Sequence, residues 1–257
     1  MNKTGIEWAD MTWNPVTGCL HGCDYCYARK VTERFGKPMK MRVVKHFDGG
    51  QFINHIAVKI PGNPYPYGFE PTFLTYRLGE PARLKKPQTI FVGSMCDLFG
   101  DWVPDEVIEE VFAACEKAPQ HRYLFLTKNP ARYGRMCELG TLPLKDNFWY
   151  GTTCTTRMPF LTFTGSGKAY NTFLSMEPLM GDLISSTYGG LGIFTKWWIV
   201  GAMTGPGAEA NKPKREWLDR IAEAADLWNV PLFYKDSIGR AFPGIPMRRE
   251  IPWRQDA

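Results

Sequence analysis

The sequence predicts an α/β fold, a full or partial (β/α) barrel, formed as one domain over residues 1–257. Two observations predict it. From residue 72 onward short apolar runs alternate with helical periodicities, which implies parallel strands joined by right-handed crossovers. Glycine, cysteine and charged residues recur at the C-terminal ends of those runs, where such barrels carry their active sites. The chain's 257 residues suit one barrel of this kind, and 44% apolar residues supply its core. Seven or eight strand candidates leave the count open between the partial and the full barrel.

Each element has its own signal. Ile6, Trp8, Met11 and Trp13 among polar neighbours give a short first strand, which runs through Asn14-Pro15 into a turn at Gly18. Tyr27, Val31 and Arg34-Phe35 predict a helix over 27–35, ended by Gly36 and Pro38. Residues 36–88 read as an irregular cover, because Pro38, Gly49-Gly50, Pro61-Gly62-Asn63-Pro64, Pro66 and Gly68 leave no room for a long helix. Within it, 73–76 suit a short strand and 78–85 a short helix closed by Pro87. Strands follow at 89–92, 123–126, 148–152, 172–176, 197–200 and 231–234. Helices are expected over 104–117, with Asp105 and Glu106 in its first turn, over about 130–137, and over 214–228 with Trp217, Ile221, Ala225 and Trp228 on one stripe.

Three of the seven cysteines, Cys19, Cys23 and Cys26, fall within eight residues at the spacing C-x3-C-x2-C. Thiolates this close can converge on one soft metal centre if the loop curls, and Gly18 and Gly22 let it curl. Three thiolates satisfy three irons of a 4Fe-4S cluster and leave the fourth open to a non-protein ligand. Half of a structural zinc site is the other reading, with His21 or a remote cysteine as fourth ligand. A second C-x2-C pair is missing, since Cys96, Cys115, Cys137 and Cys154 are isolated. The odd cysteine count argues against a disulfide framework.

The run from Gly18 to Arg29, with Tyr25 as the aromatic before the third cysteine, resembles the signature of the radical S-adenosylmethionine (radical SAM) enzymes. Its cysteine loop is similar to that of spore photoproduct lyase-like proteins. The segments 91–99, 126–130 and 200–208 resemble an uncharacterised radical SAM-like family found in phage genomes. The resemblance implies a barrel of the radical SAM kind and a cluster on Cys19, Cys23 and Cys26. The cluster would cleave SAM reductively to a 5'-deoxyadenosyl radical that abstracts a substrate hydrogen. A reductant such as flavodoxin or ferredoxin is the implied partner. Tyr25 would then help seat the adenine, Lys128 or Ser94 would meet the methionyl carboxylate, and Asp97 or Glu177 would accept from ribose or ammonium. Cys96 and Cys154, both just past strands, are hydrogen-donor candidates, against the ordinary reading of each as a small buried hydrophobe. His21 is placed to tune the cluster or to bond a thiolate. The loop 201–207 and Lys235-Asp236 complete the set of strand-end residues.

Between Arg29 and Lys45 stand Arg29, Lys30, Arg34, Lys37, Lys40, Arg42 and Lys45 against Glu33 alone, and Phe47, Phe52, Tyr65, Tyr67 and Phe69 follow. Such a pattern suits phosphates and stacked bases, hence a nucleic-acid or nucleotide substrate. It equally suits a solvated helix face with aromatics packed on the barrel. A small-metabolite or peptide substrate, and a non-enzymatic iron–sulfur or zinc sensing protein, are the alternatives. The net charge of +5 permits a nucleic acid without requiring one. No run approaches eighteen apolar residues, and the N-terminus lacks a signal-peptide core, so no membrane span and a reducing, cytoplasmic setting are expected. Oligomeric state is not legible.

Overall fold

A computed structural model describes residues 1–40, 44–46, 52–156, 170–184 and 195–254. Arg42, Phe47 and the Gly49-Gly50 pair lie outside the described residues. The chain divides into two compact units, Met1–Phe148 and Trp149–Ala257. The class is mixed α/β with mostly parallel strands.

The first unit holds two sheets. In the larger, β1 (Asn2–Lys3) pairs antiparallel with β2 (Met11–Trp13), which runs parallel to β7 (Thr89–Val92), itself parallel to β8 (Arg122–Thr127). All four residues of β7 are buried, as a strand covered on both faces requires. In the smaller, the order is β3 (Val16–Thr17), β6 (Thr72–Leu74), β5 (Phe52–Ile56), β4 (Val44–His46). The β4–β5 pair lies within the segment expected to be irregular. The helix expected over 78–85 is instead a pair of three-residue 3-10 turns, Thr75–Arg77 and Pro81–Arg83. Gly79 and Pro81 explain why an α-helix does not continue there.

Helix α1 (Tyr27–Phe35) has the predicted bounds. In α2 (Asp105–Glu116), Val107, Ile108, Val111, Phe112 and Cys115 are buried, and in α3 (Pro130–Glu138) Tyr133, Met136 and Cys137 are. These faces meet an aromatic core. Phe99 lies 4.5 Å from Tyr133, Phe112 lies 5.3 Å from Phe125, and Phe125 lies 5.5 Å from Phe148, all tilted edge to face.

The second unit takes nearly all of β9 (Phe148–Thr153), then β10 (Asn171–Met176), β11 (Trp198–Val200) and β12 (Leu232–Tyr234), each parallel to the next. Helix α4 (Arg215–Leu227) buries Leu218, Ile221, Ala224 and Ala225. Trp217 and Trp228 are only partly buried, so the stripe is rotated from the expected one toward Leu218. A short α5 (Asp236–Ala241), which the sequence did not suggest, follows β12 directly. Among the described residues no helix is long and apolar enough to cross a membrane.

Candidate functional site

The cysteine loop is built between two backbone anchors. Gly18 N–H donates to Met95 C=O at 2.9 Å, and Gly18 forms a parallel bridge with Cys96. Cys19 N–H donates to Phe69 C=O at 3.3 Å. Gly18 has φ +88°, and a Cβ there would fall 2.3 Å from the Glu70 carbonyl oxygen, so only glycine fits. Cys26 is the N-cap of α1, its Sγ accepting from Arg29 N–H at 3.5 Å. A thiolate at that position faces the positive end of the helix dipole.

All three cysteines are free thiols and partly exposed. Burial first, then the charges of Asp97, Cys23 and Cys26, push the Cys19 thiol up to about 11, while a hydrogen bond from the His21 backbone opposes the rise. The Cys19 thiol thus feels both Cys23 and Cys26. Cys96 joins them: burial, then Asp97 and Cys19, push its thiol well above the ordinary range. Among the described residues no three or more His, Cys, Asp and Glu side chains already stand in metal-holding geometry. What fits a metal cluster here is the donor chemistry of the loop.

Asp97 organises the surroundings. Its Oδ1 accepts from Phe99 N–H at 3.1 Å and Thr127 Oγ1 at 2.7 Å, and its Oδ2 from Lys128 N–H at 2.8 Å and the His21 ring at 2.7 Å. Four bonds use the four acceptor positions of a carboxylate. The ribose or ammonium role expected of Asp97 thus has no spare acceptor. His21 also differs from expectation: its ring goes to Asp97 rather than to a thiolate, and it meets Trp102 edge-on at 4.9 Å.

Lys128 Nζ donates to Tyr25 OH at 3.1 Å and sits 5.3 Å from the centre of that ring. Two of its three ammonium hydrogens remain available for an anion. Ser94 Oγ is shared with the Asn14 amide at 3.1 Å, and Ser94 C=O accepts from Tyr27 OH at 2.5 Å. Asn14 Oδ1 also takes Met95 N–H at 2.9 Å, which makes Asn14 a strut the sequence reading missed. The first unit therefore gathers Cys19, Cys23, Cys26, Tyr25, Ser94, Cys96, Asp97 and Lys128 around one loop.

In the second unit Glu177 at the end of β10 is paired with Lys235 at the end of β12, and Gly201 is small enough to admit the Glu177 side chain, 3.0 Å from its would-be Cβ. Ala202 N–H donates to Ser237 Oγ at 3.0 Å, tying the 201–207 loop to α5. Cys154 is a core residue, packed with Leu174, Met176 and Leu179 and bonded through its thiol to Thr152 C=O. Of the aromatics expected to stack bases, Tyr67 is buried with Ile56 and Leu74, and Phe69 lies under the Arg29 guanidinium.

A family model described as "Protein of unknown function (DUF5131)" matches residues 3–243. No curated protein and no solved structure matches the chain.

Proposed function

The chain belongs to the DUF5131 family of proteins of unknown function, and we propose that it is a radical SAM enzyme on a barrel of that kind. The observation that carries the proposal is the loop itself. Three free thiols stand within eight residues, held between the Gly18 anchor and the first turn of α1. Bound there, a 4Fe-4S cluster with SAM on its open iron would supply reductive SAM cleavage and hence a hydrogen-abstracting radical.

This chain's residues divide the remaining work. Cys19, Cys23 and Cys26 would hold three irons, their side chains turning inward on a backbone that is already curled. Lys128, oriented by Tyr25, presents an ammonium for the methionyl carboxylate. Asp97 uses all its acceptors within the protein, and so fixes His21 and the start of the Lys128 turn against the loop. Cys96, beside Cys19, is the better placed of the two hydrogen-donor candidates, since Cys154 is enclosed by its core. A reductant of the flavodoxin or ferredoxin class would deliver the electron.

Anaerobic reconstitution with iron and sulfide, followed by dithionite and SAM, tests this. The expected result is 5'-deoxyadenosine formation that depends on Cys19, Cys23 and Cys26. A protein that loads zinc in preference to iron, or loads iron and fails to bind SAM, would overturn it in favour of a sensing role.

A further inference from the structure

Helix α1 leaves the cysteine loop with one face turned to solvent, and that face is basic and aromatic, with the exposed Glu33 as its one acid. Ala28 and Thr32 are buried, while Tyr27, Lys30 and Arg34, spaced three and four apart, are exposed together. Tyr27 is 55% exposed and Phe35 52%, unusual values for aromatic side chains. Leu20, on the loop itself, is 59% exposed. Beyond the end of the helix, Lys37 and Lys40 are exposed as well. Arg34 is drawn over the Phe35 ring at 5.1 Å and Arg29 over the Phe69 ring at 4.6 Å.

Elsewhere on the surface some cations are neutralised locally, Arg135 by Asp101, Lys145 by Glu116 and Arg215 by Asp219, while the exposed Arg83, Lys85 and Lys86 have no carboxylate partner among the described residues. What sets the face of α1 apart is that its cations stand beside exposed rings. Among the described residues none of Arg29, Lys30, Arg34, Lys37 and Lys40 has a carboxylate partner. Lone cations flanking exposed rings match a ligand that is both polyanionic and flat-faced. Rings can stack only on bases whose faces are open, which a duplex does not offer.

We propose that the exposed face of α1, from Leu20 and Tyr27 to Lys40, is a docking surface for single-stranded nucleic acid, with Lys30, Arg34, Lys37 and Lys40 meeting phosphates and Tyr27 and Phe35 stacking bases. As the substrate class of the site it rests on the radical SAM reading; as a binding surface it stands apart from it. The ridge begins at the cysteine loop, so a strand lying along it passes the thiols.

The test uses the full chain as purified, without iron, and a labelled oligothymidine of about twenty nucleotides followed by anisotropy between about 50 and 200 mM salt. Binding should fall steeply with salt. Lys30→Gln/Arg34→Gln should weaken it about tenfold and reduce the log–log salt slope by about 1.4, two contacts at about 0.7 each. Phe35→Ala should weaken it at least about fivefold at constant charge. Lys85→Gln/Lys86→Gln removes the same charge from exposed positions elsewhere and should leave binding unchanged. No binding at the lowest salt, equal losses in the two charge variants, no effect of Phe35→Ala, or equal binding of a duplex would each overturn the proposal. Because the assay needs neither iron nor SAM, a failure of SAM cleavage with binding intact would sink the enzymatic reading alone, and the reverse outcome the surface alone.

Discussion

The His21 ring nitrogen Nε2 lies 2.7 Å from Asp97 Oδ2, a bond that closes 76 residues of chain and fastens the cysteine loop to the ends of β7 and β8. Asp97 is buried, and its loss would remove the acceptor of the Thr127 hydroxyl proton and of the Phe99 and Lys128 N–H groups at once. Asp97→Ala is expected to cost about 3 kcal/mol or more, and His21→Ala only about 1 kcal/mol, because the imidazole is nearer solvent. Urea unfolding of the two variants checks the ranking, and a smaller loss for Asp97→Ala than for His21→Ala would refute the role given to the carboxylate.

Iron loading should separate the cysteines into two classes. Cys19→Ala, Cys23→Ala and Cys26→Ala should each abolish stoichiometric iron and sulfide after reconstitution. Cys115→Ala and Cys154→Ala, which lie in the two cores, should load normally and lose about 0.5–3 kcal/mol of stability. Iron retained with all three loop cysteines replaced would remove the site assignment.

Two glycines of the loop make a matched pair. Gly18 has φ +88° and a Cβ collision with Glu70 C=O, whereas Gly22 has φ +67° and open space around it. Gly22→Ala should cost about 1 kcal/mol for backbone strain alone. Gly18→Ala should cost clearly more, since the β3 edge must shift to relieve the contact. At about 2–4 °C per kcal/mol the difference is readable in thermal midpoints.

Lys128→Met should leave the iron content intact and weaken SAM binding by about tenfold or more, as expected for a lost charge-assisted contact of about 1.5–3 kcal/mol. Equilibrium dialysis of the reconstituted protein reads both quantities. Unchanged SAM affinity would reassign the lysine to holding Tyr25.

Alkaline pH should unfold the protein partly through Tyr234. Burial pushes its phenol up to about 12, and its hydroxyl donates to Leu218 C=O at 3.0 Å. The folded state keeps this proton more tightly than the unfolded chain, whose tyrosines titrate near 10. The contribution, about 2–3 kcal/mol, is present below pH of about 10 and fades as pH rises toward about 12. Tyr234→Phe should flatten that limb of a stability–pH curve, and an unaltered limb would show that other groups carry it.

What the sequence revealed and concealed follows from range. The bounds of α1 were legible because Gly36 and Pro38 stop a helix locally, and β7 because Thr89-Ile90-Phe91-Val92 is β-branched or aromatic at every position, a strand signal by itself. The β4–β5 pair was missed because the glycines and prolines of that segment were read as breaks, although short strands pair between such breaks. The roles of Asp97 and Asn14 could not be read at all. Asn14 is fixed by partners about eighty positions away, and Asp97 by partners on three separate stretches up to 76 positions away, and no local periodicity encodes such bonds. The exposed ridge of α1 was half legible: its charge could be counted, but which aromatics face water could not.

The Asp97 bond also has a consequence for biogenesis. A ribosome completes Cys26 well before it reaches Asp97, and at about 5–20 residues per second the 76-residue gap between His21 and Asp97 lasts about 4–15 seconds. During that interval the nascent loop carries three thiols with neither the Met95 carbonyl nor the Asp97 carboxylate yet made. Under the proposed function, a metal that reached the loop then would meet an unshaped set of thiols, and correct loading would require delivery after the segment up to Lys128 has been synthesised and folded.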